Sequence, residues 1–201
     1  MTVPAPTVTA EGGYKHTGWS TELTDTFTQP ETTITAEYKA KVVTTDPEDT
    51  DYVKVEFAAG LHGSITSGTT EYWVLTGETV SLEAPTATGN TWWSFSGWEP
   101  TVAVSYSIDT IHTAQYSYEG ENVVPQEGAT KPEVPDNFVK VTFAAGDHGD
   151  ITTGETTYYV NPAKEVTIPA PTVEADTGYT HSGWTPGLTG VFGDGAIITA
   201  T

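Results

Sequence analysis

The stretch Val139–Val160, VKVTFAAGDHGDITTGETTYYV, decides how the chain is organised, because the chain contains it twice. Val53–Val74 reads VKVEFAAGLHGSITSGTTEYWV, with only a few letters changed. Phe57 and Phe143 hold the same place in the two copies, so the period is 143 − 57 = 86 residues. Self-similarity at a fixed period indicates an array of small modules rather than one large domain.

The composition favours β-structure and argues against two classes of partner. The 201 residues carry 27 acidic side chains against 7 basic ones, for a formal net charge of −20. Nucleic acids and anionic membrane surfaces are bound through lysine and arginine, so we expect neither as a partner. No apolar run approaches the about 18 residues of a membrane span, so we expect no membrane insertion. Abundant Thr, Val, Tyr and Trp predict an all-β fold.

The repeat divides the chain into three units and two linkers. We predict complete repeats at 52–118 and 138–201, a linker at 44–51, and a Pro- and Glu-rich linker at 119–137. Proline-rich linkers are extended and semi-rigid. The fold class that follows is a set of tandem small β-sheet modules in an elongated array.

The segment 1–43 is a partial repeat. Its line TVPAPTVTAEGGYKHTGW recurs as TIPAPTVEADTGYTHSGW from Thr167 to Trp184, but a VKVxF hairpin is absent from it. A half-unit leaves sheet edges and core surface open unless something covers them. Three explanations stay open: the chain is cut from a longer array, which we favour, it borrows strands from a neighbouring copy, or the segment packs as a reduced sheet.

Local patterns predict strands and one irregularity. Alternation of Val53, Val55 and Phe57 with charged residues predicts a strand with one buried face. Further strands are expected at Val80–Leu82, around Trp93 to Trp98, and at Thr110–Tyr118. The odd spacing from Tyr14 to Trp19 puts these residues on opposite faces of a regular strand. We therefore predict a β-bulge at Gly18 that turns Trp19 back to the core.

The shared plan F-x-A-G-x-H-G … T-x-Y-x-V … P-x-V … G-Y-x-x-x-G-W-x-P … I-T-A resembles repeats of Gram-positive cell-surface proteins. It is similar to the Listeria–Bacteroides or internalin B-repeat type and to related β-grasp-like adhesin modules. The plan is carried by Phe143–Gly149, Tyr158–Val160, Gly178–Pro186 and Ile198–Ala200. The resemblance implies a β-grasp-like fold, an extracellular location at the cell wall, and a stalk or spacer that projects a binding tip.

The residue patterns predict no active site. There is no Gly-x-Ser-x-Gly elbow, no cysteine and no glycine-rich phosphate loop ahead of a helix. We therefore expect no enzymatic activity and no cofactor.

Histidines raise the question of a metal site. His62 and His148 share one position of the repeat, and His16 and His181 share another. Their spacing is not that of metal ligands, and Phe95 takes the second position in the middle copy. We favour a packing role and expect no metal.

An acidic cluster, Asp46, Glu48, Asp49 and Asp51, lies in the linker 44–51. Such oxygens could hold calcium and stiffen the joint. A solvated linker that is extended by self-repulsion is the favoured interpretation.

Tryptophans are the candidate ligand-binding residues. Those that recur in every copy predict core packing: Trp19, Trp98 and Trp184. Trp73 and Trp92 correspond instead to Tyr159 and Gly178. Together with Trp93 they could form a face on which sugars stack.

Three hypotheses follow. The leading one is a non-enzymatic structural stalk or spacer of a bacterial cell-surface adhesin. The first alternative is a module that binds a host glycan or protein through the aromatic patch of the middle unit. The second alternative is a component of an ordered assembly, such as a phage or surface-layer decoration, because the half-unit needs a neighbour.

Overall fold

A computed structural model describes residues 1–26, 28–29 and 31–201. These residues form strands and no helix, so the prediction of an all-β chain of small sheets is confirmed. Nothing within the described ranges is a helix long and apolar enough to cross a bilayer. The chain divides into two compact units, residues 1–117 and 118–201.

The first unit contains the partial repeat and the first complete repeat. Its strands, the last of which ends at the unit boundary, are β1 Tyr14–Trp19, β2 Ala36–Ala40, β3 Val42–Val43, β4 Tyr52–Ala58, β5 Gly63–Ser67, β6 Glu71–Leu75, β7 Thr86–Gly89, β8 Trp93–Glu99 and β9 Thr110–Tyr118. The strands predicted at Val53–Phe57, around Trp93 to Trp98 and at Thr110–Tyr118 are therefore confirmed.

The second unit contains the other complete repeat. Its strands are β10 Val123–Pro125, β11 Val139–Ala144, β12 Gly149–Thr153, β13 Thr157–Val160, β14 Val166–Thr167, β15 Thr172–Ala175, β16 Trp184–Thr185, β17 Thr189–Gly190 and β18 Ala196–Ala200.

Each complete repeat builds a five-stranded mixed sheet. The order is β3-β6-β4-β9-β8 in the first unit and β10-β13-β11-β18-β16 in the second. The first strand of each repeat pairs antiparallel with β6 or β13 and parallel with β9 or β18. The registers coincide, since Val55 lies opposite Tyr72 and Val141 opposite Tyr158. That the module is β-grasp-like, as the resemblance implies, stays a prediction, and no helix occurs among the described residues.

Alternation along the central strands creates the cores. Val55 and Phe57 of β4 are 0% and 5% exposed. The first core contains Val55, Phe57, Tyr72, Val74, Val80 and Tyr106. The second contains Val141, Phe143, Tyr158, Val160, Val166, Ile168, Phe192 and Ile198. Full burial of such a side chain contributes about 1.5–3 kcal/mol, so each small core depends on every member.

The strand predicted at Val80–Leu82 is wrong. No strand includes these residues; β7 lies instead beyond Pro85 and pairs with β5. The Val80 amide donates to the carbonyl of Val104 at 2.8 Å, and Val80 itself is buried. The apolar alternation there reflects core packing supported by a single backbone hydrogen bond rather than a strand.

Edge strands precede both complete repeats. β3 pairs with β6, and β10, inside the segment predicted as a linker at 119–137, pairs with β13. Val42 lies opposite Val74 just as Val123 lies opposite Val160. Each edge strand covers a sheet edge that would otherwise be open.

The partial repeat forms an antiparallel β1–β2 ribbon. Its register shifts between His16 and Gly18, which confirms the predicted β-bulge. In the last repeat, the amides of Ser182 and Gly183 both point to the carbonyl of Thr201, at 2.6 and 3.3 Å. Two residues facing one is the signature of a bulge at the equivalent position.

Candidate functional site

A stacked aromatic pair holds two turns together at one end of each complete module. In the first module the rings of His62 and Trp93 stack at a centroid distance of 3.6 Å and an angle of 2°. The Asn90 amide donates to the carbonyl of His62 at 2.8 Å. In the second module His148 stacks on Tyr179 at 3.8 Å and 13°. The repeated histidine therefore serves as a flat packing partner.

The turn before this stack places Trp92 in an unfavourable conformation. The Trp93 amide donates to the carbonyl of Asn90 at 2.9 Å, and Trp92 has a φ of 69°. A positive φ at the third residue is the pattern of a type II turn, which favours glycine. The other two copies have glycine there, Gly13 with a φ of 89° and Gly178 with 94°. For an L-residue this conformation costs about 1–2 kcal/mol.

Two exposed apolar side chains flank the stack in the first module. Trp92, which precedes Trp93, is 60% exposed, and Leu61, which precedes His62, is 84% exposed. The corresponding residues of the second module are Gly178 and Asp147. Trp92 and Leu61 therefore make the tip of the first module apolar where the second is small or charged. The tip of the first module is therefore the candidate interaction site.

Trp73 lies on the outward face of β6 and is half-buried. The Lys54 ammonium group is 5.7 Å from the centre of its ring, and it also donates a hydrogen bond to Glu71 at 2.9 Å. This hydrogen bond raises the pKa of Lys54 above its ordinary value. In the second module, Lys131 lies over Tyr159 at 5.3 Å. Trp73 thus occupies a cation–π position that both modules maintain with different residues.

The structure brings only part of the expected aromatic patch together. Trp92 and Trp93 lie beside each other at the turn that leads into β8. Trp73 lies on β6, and strands β4 and β9 separate β6 from β8. Three strand spacings amount to about 14 Å, so Trp73 faces a different part of the sheet. The geometric candidate is accordingly the pair Trp92 and Trp93 with Leu61, a residue that sequence reasoning missed.

The second histidine position is an aromatic packing site. The pairs in the three copies are His16 with Trp19, Phe95 with Trp98 and His181 with Trp184, edge-on at 5.4, 5.5 and 5.3 Å. Phenylalanine and histidine take the same geometry, which a metal ligand would not allow. Across the described ranges, no three His, Cys, Asp or Glu side chains are grouped to hold a metal ion.

The acidic cluster at the joint surrounds a lysine. The Lys39 ammonium group lies 2.6 Å from a carboxylate oxygen of Asp49 and 2.5 Å from one of Asp51. These contacts raise the pKa of Lys39, and the Lys39 hydrogen bond lowers the pKa of Asp49. The Tyr52 hydroxyl donates to the carbonyl of Ala40 at 2.5 Å, so the partial repeat is tied to the first complete module. Two of the four acidic groups proposed for calcium are therefore occupied by a lysine.

Sequence reasoning missed a buried polar group, His112, which is 1% exposed. Its Nδ1 lies 2.5 Å from the carbonyl of Pro100, so Nδ1 carries the proton. Its Nε2 then accepts from the Tyr106 hydroxyl at 3.0 Å, and that hydroxyl accepts from the Ala103 amide at 3.1 Å. Burial raises the pKa of Tyr106 above its ordinary value. The available signal was positional, because Ile198 occupies the same place in the other module.

The fold is a tandem array of small β modules. No catalytic centre is recognisable among the described residues. Residues 139–201 match the family model described as the divergent InlB B-repeat domain. This match confirms the resemblance to internalin B-repeat-like modules for the last repeat, and it indicates a repeat module of the surface-protein kind. No curated protein and no solved structure matches the chain.

Proposed function

We propose that this chain is a non-enzymatic stalk or spacer region of an extracellular, bacterial cell-surface adhesin. The observation that carries the proposal is the repetition of one five-stranded sheet, in one register, at a period of 86 residues. The modules of a spacer need to stay folded in one chain without their sheets associating. The short strands β3 and β10 cover β6 and β13 at one edge of each sheet, and a net charge of −20 opposes association.

Small-angle scattering across a concentration series tests this proposal. We expect the mass of a 21.4 kDa monomer at every concentration. The radius of gyration should clearly exceed the about 17 Å of a compact chain of this length. A compact particle of that radius, or any catalytic turnover by the purified chain, would contradict the spacer role.

A second candidate function is recognition of a glycan or protein by the tip of the first module. The specific observation is that Trp92 is exposed in a conformation that glycine adopts in the other copies. Strain of this kind persists where the residue serves a function. An exposed indole offers a flat apolar face on which a sugar ring or an apolar side chain can stack.

The second module supplies the matched control for this candidate. Leu61→Asp combined with Trp92→Gly gives these two exposed positions of the first tip the residues of the second and leaves the His62–Trp93 stack in place. A glycan array and a host-protein array are then probed with both chains. We expect binding by the natural chain and its loss in the double variant; equal signals from the two chains would remove the tip from consideration.

A further inference from the structure

The partial repeat lacks one strand pairing that both complete repeats make. In the complete repeats, Thr110–Thr113 and Ala196–Thr199 pair in parallel with the first strand of the same repeat. The equivalent residues, Thr32–Thr35, belong to no strand, and β2 begins only at Ala36. Among the described residues, β2 has β1 as its one strand neighbour. The side of this ribbon that a first strand would occupy is therefore open.

The apolar residues beneath that position are also less covered. Ile168 and Ile198 of the last repeat are 0% exposed. Their equivalents in the partial repeat, Val3 and Ile34, are only half-buried, and no described residue from 1 to 40 is fully buried. The partial repeat nevertheless keeps the local fold, because the Val3 amide donates to the carbonyl of Leu23 at 2.8 Å as Ile168 does to Leu188 at 3.0 Å.

We propose that the partial repeat is a docking site for a β-hairpin of the type VKVxFAAG … TxYxV, the first half of a repeat. The hairpin adds its first strand in parallel to Thr32–Thr35, in the register that Val141–Ala144 has against Ala196–Thr199. Strand addition of this kind gains affinity from main-chain hydrogen bonds and specificity from alternate side chains. The proposal does not depend on the spacer role.

The complete repeats define what the incoming hairpin must contain. Phe57 packs edge-on against Trp98 at 4.9 Å, and Phe143 against Trp184 at 4.8 Å. The incoming phenylalanine would meet Trp19 in the same way. Phe57 and Phe143 are each followed three residues later by a glycine at which a Cβ atom would come within 2.2 or 2.5 Å of a carbonyl oxygen of β9 or β18. The phenylalanine of the motif FAAG thus packs against a tryptophan, and its glycine lets the backbone approach a carbonyl oxygen of the neighbouring strand.

The occupant is a third hairpin. Both hairpins of this type within residues 1–201 are engaged in their own sheets, since the first strand β4 lies between β6 and β9 and the first strand β11 lies between β13 and β18. A second copy of the chain would have to dismantle one of its own modules to donate a strand. The fitting partner is therefore a polypeptide segment that carries an additional repeat first half.

Hydrogen exchange of the full chain, with and without a synthetic peptide of the sequence 137–161, tests the proposal. We expect the amide of Ile34, which by strand alternation faces the open side, to gain about 100-fold protection on peptide addition, as in a strand ladder. The Thr35 amide already donates to the Ser20 hydroxyl oxygen at 3.0 Å and should not change. A peptide with alanine in place of Gly146 is the matched control and should give no protection, since its Cβ cannot fit against the carbonyl of Ala36. Equal protection by both peptides would overturn the proposed geometry.

A free peptide can fail to fold, so the same hairpin is also fused ahead of Met1 through a flexible Gly-Ser linker. The fusion should protect the Ile34 amide to the same degree, and its glycine-to-alanine form should not. Unchanged exchange in the fusion would overturn the proposal. So would a chain that, without any hairpin added, protects the Ile34 amide and doubles its mass, because a second copy would then be the occupant.

Discussion

The two complete modules share a backbone and differ in the chemistry of matched positions. In the first module His112 hydrogen-bonds to Tyr106, whereas in the second the same places hold Ile198 and Phe192. Both pairs are buried, and both sheets have the same register. The difference teaches that this core accepts a polar pair or an apolar pair, provided that both members change together. By contrast, both modules keep a glycine at the position where the backbone approaches a neighbouring strand closely, and this glycine cannot be replaced by a larger residue.

Replacement of those glycines should have the largest effect. Gly60→Ala and Gly146→Ala place a Cβ within 2.2 and 2.5 Å of backbone oxygens, at φ values of 72° and 79°. Steric overlap and the left-handed conformation together should cost about 3 kcal/mol or more in the affected module. Gly77→Ala, which has a φ of 74° but open space, should cost only about 1 kcal/mol. Urea unfolding followed by NMR separates the modules; similar losses at Gly146 and Gly77 would contradict the steric argument.

Exchange of the buried pair sharpens the comparison. His112→Ile alone should destabilise the first module by about 2 kcal/mol, because the Tyr106 hydroxyl loses the acceptor of its proton and the Pro100 carbonyl loses its donor in a dry core. The double variant His112→Ile, Tyr106→Phe copies the second module and should recover to within about 1 kcal/mol of the natural protein. Thermal unfolding of the single and double variants measures this coupling. Strictly additive losses would show that the hydrogen bond is not the source.

A smaller effect is expected at the tip. Trp92→Gly relieves the positive φ but adds freedom to the unfolded chain, so the first module should gain about 0.5 kcal/mol. Gly178→Trp in the second module should lose a similar amount, since no atom lies within 4 Å of its Cβ position. Chemical denaturation of both variants checks the opposite signs. A loss of stability in Trp92→Gly would mean that the indole supports the fold.

The smallest effect concerns the lysine at the joint of the first unit. Asp49 has a pKa lowered by Lys39, so its contribution to stability is present at neutral pH and disappears as the pH falls through its folded-state pKa. Lys39→Met should raise the pKa of Asp49 toward its ordinary value, and the stabilities of the variant and the natural protein should converge only as the pH falls below the lowered pKa of Asp49 in the natural protein. An NMR titration of Asp49 measures this, with Lys164→Met in the second unit as control. An unchanged Asp49 titration would contradict the contact.

Much of the fold could be predicted because strong local patterns carry it. Val53, Val55 and Phe57 alternate cleanly, and the bulge at Gly18 follows from the spacing of Tyr14 and Trp19. The edge strands β3 and β10 could not be found, because two or three residues have no periodicity of their own and pair only in the presence of the next module. At Val80–Leu82 the alternation of apolar residues led to the wrong prediction of a strand, because residues that are buried without strand pairing produce the same alternation.

The candidate site was predictable in part for a different reason. Comparison of copies identified Trp92 as a residue that does not recur, but not that its backbone is strained, since φ depends on the turn that Asn90 closes. Leu61 escaped notice because an isolated leucine in a hairpin carries no pattern. His112 escaped because its partners, Pro100 and Tyr106, lie 12 and 6 residues away and meet it only in the folded module.

The parallel pairing of first and last strands determines how each module responds to tension. In the second module the short edge strand β10 comes first, and the repeat then runs from the start of β11 to the end of β18, two strands that are direct parallel neighbours. Opposite pulls at those two points slide the strands past each other. All four register pairs, from Val141 with Ala196 to Ala144 with Thr199, then bear the load together instead of opening one at a time. The same arrangement of β4 and β9 makes the first module a second mechanical clamp in series.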